Sequence, residues 1–263
     1  MAPDELTRAG KALRCYRLTG APRSGRVKTF VFALSLCLLV LVGTSCAQVS
    51  ATQAGSGSTT TTQQSKKQIT YVAIGASDTF GIGTDDPYTE NWPTDLAGML
   101  GASHIHLINL GIPAITIHDV LSQELPIALD SHPDLVTIWL GVNDIADSVP
   151  ASSFARDLNT LLARLRANSP HARIAIANIP DLTLLPYFNR SKAFDAQALS
   201  QQIQTYNAAI DSYTRRYQAI LVDLTQQNYN LQQHPEYISH DGLHPNDLGY
   251  RQLAKLFYKA LGS

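Results

Sequence analysis

Apolar residues fall along this chain in two rhythms. One is the short, unbroken run. Residues 69–74, 104–110, 135–140, 173–179 and 219–224 are such runs, rich in β-branched and aromatic side chains. Most end in glycine or in turn-forming residues, as strands covered on both faces do. The other rhythm is helical. Phe154, Leu158, Leu161, Leu162 and Leu165 share one helix face, with Ser152 or Ser153 expected as its cap. Leu199, Ile203, Tyr206, Ile210, Tyr213 and Tyr217 form a second stripe. Leu253, Leu256, Phe257 and Ala260 form the last, opened by Asn246 or Asp247. Shorter helices are expected over 93–100 and 116–129. Strand and helix alternate, which predicts an α/β fold: a parallel sheet with helices on both faces. In such sheets a ligand site lies outside the carboxyl ends of the strands.

The pattern before residue 68 is different. Residues 30–42 are apolar and follow Arg23, Arg26 and Lys28, with the small residues Gly43, Thr44, Ser45, Cys46 and Ala47 behind them. A run of this length falls short of the roughly 20 apolar residues of a membrane span and has the layout of an export signal. Residues 1–46 are therefore expected to be an export signal or membrane anchor. Cys46 has two readings, the lipidated cysteine of a lipoprotein or part of an ordinary cleavage region. Residues 47–67 are dominated by Ser, Thr, Gln, Gly and Ala. They bury too little apolar surface to offset their ordering entropy, and read as a flexible tether. One folded domain is expected over 68–263, in an extracellular or envelope setting.

Composition narrows the chemistry. All three cysteines (Cys15, Cys37, Cys46) precede the predicted domain, so a thiol nucleophile, disulfides and cysteine-ligated zinc are not expected in it. The formal net charge of −1 and the lack of a basic patch argue against a nucleic-acid partner. No cofactor is expected, and the chain is expected to act as a monomer.

The candidate chemistry sits where runs end. Ser77, in Gly75-Ala76-Ser77-Asp78-Thr79, follows the first run. A serine hydroxyl needs a base to become a nucleophile. At the start of a helix its backbone N–H also faces an incoming oxyanion. Alone it reads equally well as a helix cap. Far downstream, Asp241-Gly242-Leu243-His244-Pro245 supplies His244 as candidate base and Asp241 as the group that fixes its tautomer. A metal site is the alternative there, because His240, Asp241, His244 and Asp247 cluster in sequence. Gly111 in Asn109-Leu110-Gly111 and Asn143 in Gly141-Val142-Asn143-Asp144 follow two further runs. With the Ser77 amide they are candidate oxyanion donors, although each alone is also a common turn residue. Asp144 is expected to bond backbone amides near its strand end.

These four segments, in this order, resemble the four sequence blocks of the SGNH hydrolases, the GDSL-type esterase and lipase superfamily. The resemblance spans roughly 69–261. It implies a three-layer α/β/α, flavodoxin-like fold with a parallel five-stranded sheet. It further implies Ser77 as nucleophile, His244 as base, Asp241 as its partner, and Ser77, Gly111 and Asn143 as the oxyanion hole, with no metal or cofactor. One departure is that the aspartate usual before the serine is Ala76 here. The expected reaction is cleavage of an acyl ester on a small-molecule, lipid or glycan substrate. A carbohydrate O-deacetylase is the alternative, and a non-catalytic binding module a third reading. Leu184, Leu185, Tyr187, Phe188 and Phe194 are expected either to line an acyl pocket or lid, or to pack their loop down. Tyr88 or Trp92 is expected either to stack on a sugar or to pack.

Overall fold

The computed structural model describes residues 68–190, 194–225 and 229–262. The expected export segment and tether lie outside the described residues, and so does the Ser-Lys-Ala stretch at 191–193. The five runs form one parallel sheet: β1 (Ile69–Gly75), β2 (Ile105–Asn109), β3 (Leu135–Trp139), β4 (Arg173–Ala177) and β5 (Ile220–Val222), in the order β2-β1-β3-β4-β5. Register pairs Ala73 with Asn109 and Gly75 with Trp139. The carboxyl ends of the three neighbouring strands β2, β1 and β3 therefore lie side by side. Chain direction across the sheet reverses between β1 and β3, which is where such sheets open a crevice.

The helices are α1 (Ser77–Phe80), α2 (Trp92–Gly101), α3 (Ile117–Gln123), α4 (Leu125–Asp130), α5 (Val142–Ala146), α6 (Ala151–Asn168), α7 (Pro186–Arg190), α8 (Ala196–Arg216) and α9 (Asp247–Ala260). Right-handed crossovers put α2 on one face of the sheet, and α3, α4, α6 and α8 on the other. α9 packs on α2. The α6 stripe from Phe154 to Leu165 is buried, as are Leu253, Leu256 and Phe257 of α9.

Three local expectations differ from the structure. The 116–129 helix is two helices, broken at Glu124, because Pro126 lacks an N–H and cannot continue the first one. α6 is not capped by Ser152 or Ser153. Its cap residue is Pro150, whose carbonyl accepts the N–H groups of Ser153 and Phe154. β5 ends at Val222 because the Leu224 N–H turns to the Asn178 side chain, at 2.6 Å. At the start of α9 the reading holds: Asn246 Oδ1 accepts Leu248 N–H and Gly249 N–H.

Trp92 is fully buried and stacks on Phe257 with ring centroids 4.3 Å apart. It belongs to the core between α2 and α9, not to a sugar platform. Trp92→Ala should therefore lower stability by about 3–5 kcal/mol, the range for a buried aromatic cut to alanine. Urea unfolding checks this, and a loss below about 1 kcal/mol would contradict the packing described.

Candidate active site

β1 delivers Ser77 to the sheet edge. Ala76 precedes α1 with φ −101° and ψ −146°, and α1 begins at Ser77 itself. This turn is tight: a Cβ on Gly75 would come within 2.0 Å of Thr79 Oγ1. β2 delivers Gly111 against the same turn, where a Cβ would lie 2.4 Å from Phe80 N. Only glycine allows that approach. β3 ends at the left-handed Gly141 (φ 112°), after which α5 carries Asn143.

The last loop reaches the same edge from far along the chain. Gly83 meets it so closely that a Cβ would lie 2.3 Å from Pro245 O. Tyr250 Oη donates to Ile82 O at 2.6 Å, holding α9 to the segment after Ser77. Tyr187 N–H donates to Gly242 O at 3.0 Å, clamping the loop from the other side.

The result is a hydrogen-bonded chain of three side chains. His244 Nε2 lies 2.9 Å from Ser77 Oγ. His244 Nδ1 lies 2.5 Å from Asp241 Oδ2. Asp241 Oδ1 accepts the N–H groups of Leu243 (2.8 Å) and His244 (2.9 Å) and the Ser239 hydroxyl (2.8 Å). Ser77 is largely covered. It is 6% exposed and His244 9%, because the imidazole covers the hydroxyl.

Charge follows geometry. Burial opposes the Asp241 carboxylate. The hydrogen bond and positive charge of His244, with the N–H groups of Leu243 and His244, outweigh that and hold it well below the usual carboxylate range. Burial likewise opposes an imidazolium. The bond to Asp241 and the negative charges of Asp78 and Asp241 outweigh it, raising His244 above 6.5. Sequence reasoning gave Asp78 no such part.

Asn143 is buried and gives one amide hydrogen to Ile115 O at 2.9 Å. An –NH₂ group has a second hydrogen to offer. Asp144 accepts the N–H of Ile117 at 3.2 Å, a backbone bond as expected but to the start of α3. Burial pushes its carboxyl up to about 7, against that bond. The Gly111 N–H donates to Asn109 Oδ1 at 3.0 Å, and Asn109 Nδ2 donates to Thr79 O at 2.7 Å. An oxyanion would share or displace the Asn109 acceptor, a role that the sequence did not reveal. No group of three metal-ligating side chains occurs among the described residues. Asp241 and His244 of the cluster considered as a metal site instead bond each other.

Of the loop residues considered for an acyl pocket, Leu185 and Phe188 are buried in the core, and Phe188 packs edge-on to Phe194 at 4.9 Å. Leu184 is exposed. An apolar pocket lined by Val142, Leu182, Leu185, Leu231 and Leu243, with the Asp78 carboxyl in its wall, lies next to the chain positions of Asn143 and His244.

A model of the GDSL-like lipase/acylhydrolase family matches residues 73–252, well over half of the chain. Among solved structures, the lipase/acylhydrolase from Enterococcus faecalis is 20% identical, with a TM-score of 0.61 over 74% of this chain and 95% of that one. The acetyl xylan esterase AlAXEase is 21% identical, with a TM-score of 0.59 over 73% and 100%. A family 3 carbohydrate esterase from Clostridium thermocellum is 20% identical, with a TM-score of 0.58 over 73% and 94%. At these identities the likeness is one of fold. A search of curated proteins finds no match.

The raised His244 value sets a pH prediction. The base form needed to deprotonate serine is lost as pH falls, so kcat/KM should drop below a midpoint above pH 6.5. Stability runs the other way. The contribution of protonated His244 is fully present below its unfolded pKa and lost as pH rises through the folded one. Asp241→Asn should move the kcat/KM midpoint down and lower the plateau by roughly 10³- to 10⁴-fold, the size of effect when a triad aspartate is replaced. A pH–rate profile unchanged by Asp241→Asn would contradict the pairing.

Proposed function

We propose that this chain, which belongs to the GDSL-like lipase/acylhydrolase family, is a serine hydrolase of carboxylic (acyl) esters that works through an acyl-enzyme. The observation that carries the reading is the relay from Asp241 Oδ2 through His244 to Ser77 Oγ, with links of 2.5 and 2.9 Å. Both are within proton-transfer reach before any substrate binds.

The mechanism follows from these groups. His244 Nε2 takes the Ser77 proton as Oγ bonds the ester carbonyl carbon. The carbonyl π pair moves onto oxygen, where the amides of Ser77 and Gly111 and the Asn143 side chain stabilise it. Asp241 stabilises the imidazolium so formed. The tetrahedral intermediate collapses, the C–O bond to the alcohol breaks, and His244 returns the proton to the departing oxygen. Water then attacks the acyl-Ser77 carbonyl by the same route, releasing the acid and restoring the hydroxyl. The reaction needs no oxidant, reductant or metal.

For the acyl group we infer an esterase or lysophospholipase-like substrate, since the apolar Val142 and Leu243 adjoin Asn143 and His244 in the chain. A second reading, carbohydrate O-deacetylation, has its own support. Tyr88 is 78% exposed and edge-on to Phe80, one helical turn from Ser77, with centroids 5.5 Å apart. Such a surface suits a sugar ring. We also propose that the enzyme is exported and tethered at the cell envelope, from the basic, apolar and small residues before position 48.

A fluorophosphonate probe should label the parent protein and leave Ser77→Ala unlabelled. An unlabelled parent would favour the binding module instead. In a p-nitrophenyl ester series, activity rising from acetyl to medium chains supports the lipase-like pocket. A steep fall after acetyl supports deacetylation. Mass spectrometry of the protein from cell fractions tests the tether: a diacylglyceryl group on Cys46 establishes lipidation, and an unmodified protein free in the medium overturns the tether.

A further inference from the structure

Glu124 stands at the break between α3 and α4, where a helix pattern would turn a charged residue to water. Its side chain is instead fully buried. Oε2 accepts the Gly75 N–H at 3.0 Å, and Oε1 has no hydrogen-bond partner. The Gly75 carbonyl in turn accepts the Ile112 N–H at 3.1 Å. Gly75 lies two residues before Ser77, and Ile112 one residue after Gly111. The carboxyl thus holds one of the two backbone segments that carry the candidate oxyanion amides directly, and the other through the Gly75–Ile112 bond. The Thr79 hydroxyl, also buried without a partner, borders the same Gly75.

A lone carboxylate is costly here. One or two N–H groups do not replace its hydration, so burial favours the neutral acid and pushes the carboxyl up to about 9, against the pull of the Gly75 and Ile112 N–H groups. A neutral acid keeps an acceptor for Gly75 N–H without placing a negative charge behind a site where negative charge must develop. An ionised one would add a negative charge behind the place where the oxyanion forms.

We propose that Glu124 is a positioning residue for acyl transfer: its buried carboxyl fixes the end of β1 at Gly75 and, through the Gly75–Ile112 backbone bond, the start of the glycine segment, so that the Ser77 and Gly111 amides aim at one point. The proposal rests on the reading of Ser77 as nucleophile. It differs from that reading in acting through backbone, and Glu124 touches no substrate.

The test uses the full chain with Glu124→Gln, which keeps the acceptor and the neutral state, and Glu124→Leu, which keeps bulk and loses both. Three readouts are taken: kcat and KM on p-nitrophenyl acetate, the fluorophosphonate labelling rate, and hydrogen exchange of the peptides covering 75–80 and 110–113. The Gln variant should keep kcat within about threefold, while Leu lowers kcat and labelling by about 10- to 100-fold at unchanged KM, the scale of a misplaced reacting group. Exchange in both peptides should quicken in Leu and not in Gln. Equal kcat in Gln and Leu, or a loss confined to thermal stability or KM, would overturn the proposal. Should the parent itself resist labelling, the nucleophile reading falls. The exchange comparison then still decides whether Glu124 clamps the two segments, and unchanged exchange in Leu rejects the clamp.

Discussion

The hydrogen bond from the last loop to the first strand's serine organises this molecule. His244 and Ser77 are 167 positions apart in the chain and 2.9 Å apart in the fold. Bringing them together demands nearly everything else described. The sheet order must set β1 at the centre of the active edge. α9 must lie along α2, with Tyr250 bonded to Ile82, and Gly83 must be small enough to admit Pro245. The loop is cross-bonded by its own side chains. Asp241 alone satisfies two backbone amides, a hydroxyl and the imidazole. A loop so cross-bonded has little entropy left to lose on ordering.

Electrostatics at the site divide by depth. Asp241 is half-exposed and stays charged. Asp144 and Glu124, both fully buried, are pushed toward neutrality by burial, to about 7 and about 9. The charged carboxylate faces the base whose positive form it stabilises, while the two buried ones hold backbone. Asp144 binds the start of α3 at Ile117, and Asn143 next to it binds Ile115. The side-chain donor and the loop over it are thereby fixed as one piece. With Glu124 tying Gly75, each of the three candidate oxyanion groups has its own brace from the α3–α4 region or from the Asn109 side chain.

Much of this was legible in the sequence. The five apolar runs, the helical stripes of α6, α8 and α9 and the ends that carry Ser77, Gly111 and Asn143 could be read because period and turn chemistry are local properties. That Ser77, His244 and Asp241 belong together could be inferred because their segments are short and ordered. The rest depended on tertiary partners. The helix expected over 116–129 ran through the break at Glu124, and nothing in the local pattern said that the glutamate turns inward. The end of β5 was set by the side chain of Asn178 on a neighbouring strand's extension, invisible to a window over 219–224. Trp92 could be read as packing or as a sugar platform until Phe257, from the far end of the chain, was seen to cover it. The partner of the Gly111 amide, Asn109, lay two residues away and was missed, because an Asx-type bond competes with an oxyanion only once the turn is formed.

In the proposed reaction Ser77 carries the acyl group. Mixing the enzyme with p-nitrophenyl acetate, quenching in acid within the first turnover and mapping the modified peptide by mass spectrometry tests it directly. One acetyl group is expected, on the peptide containing Ser77, disappearing as product is released. A turning-over enzyme with no covalent acyl group, or with the acetyl on another residue, would contradict it.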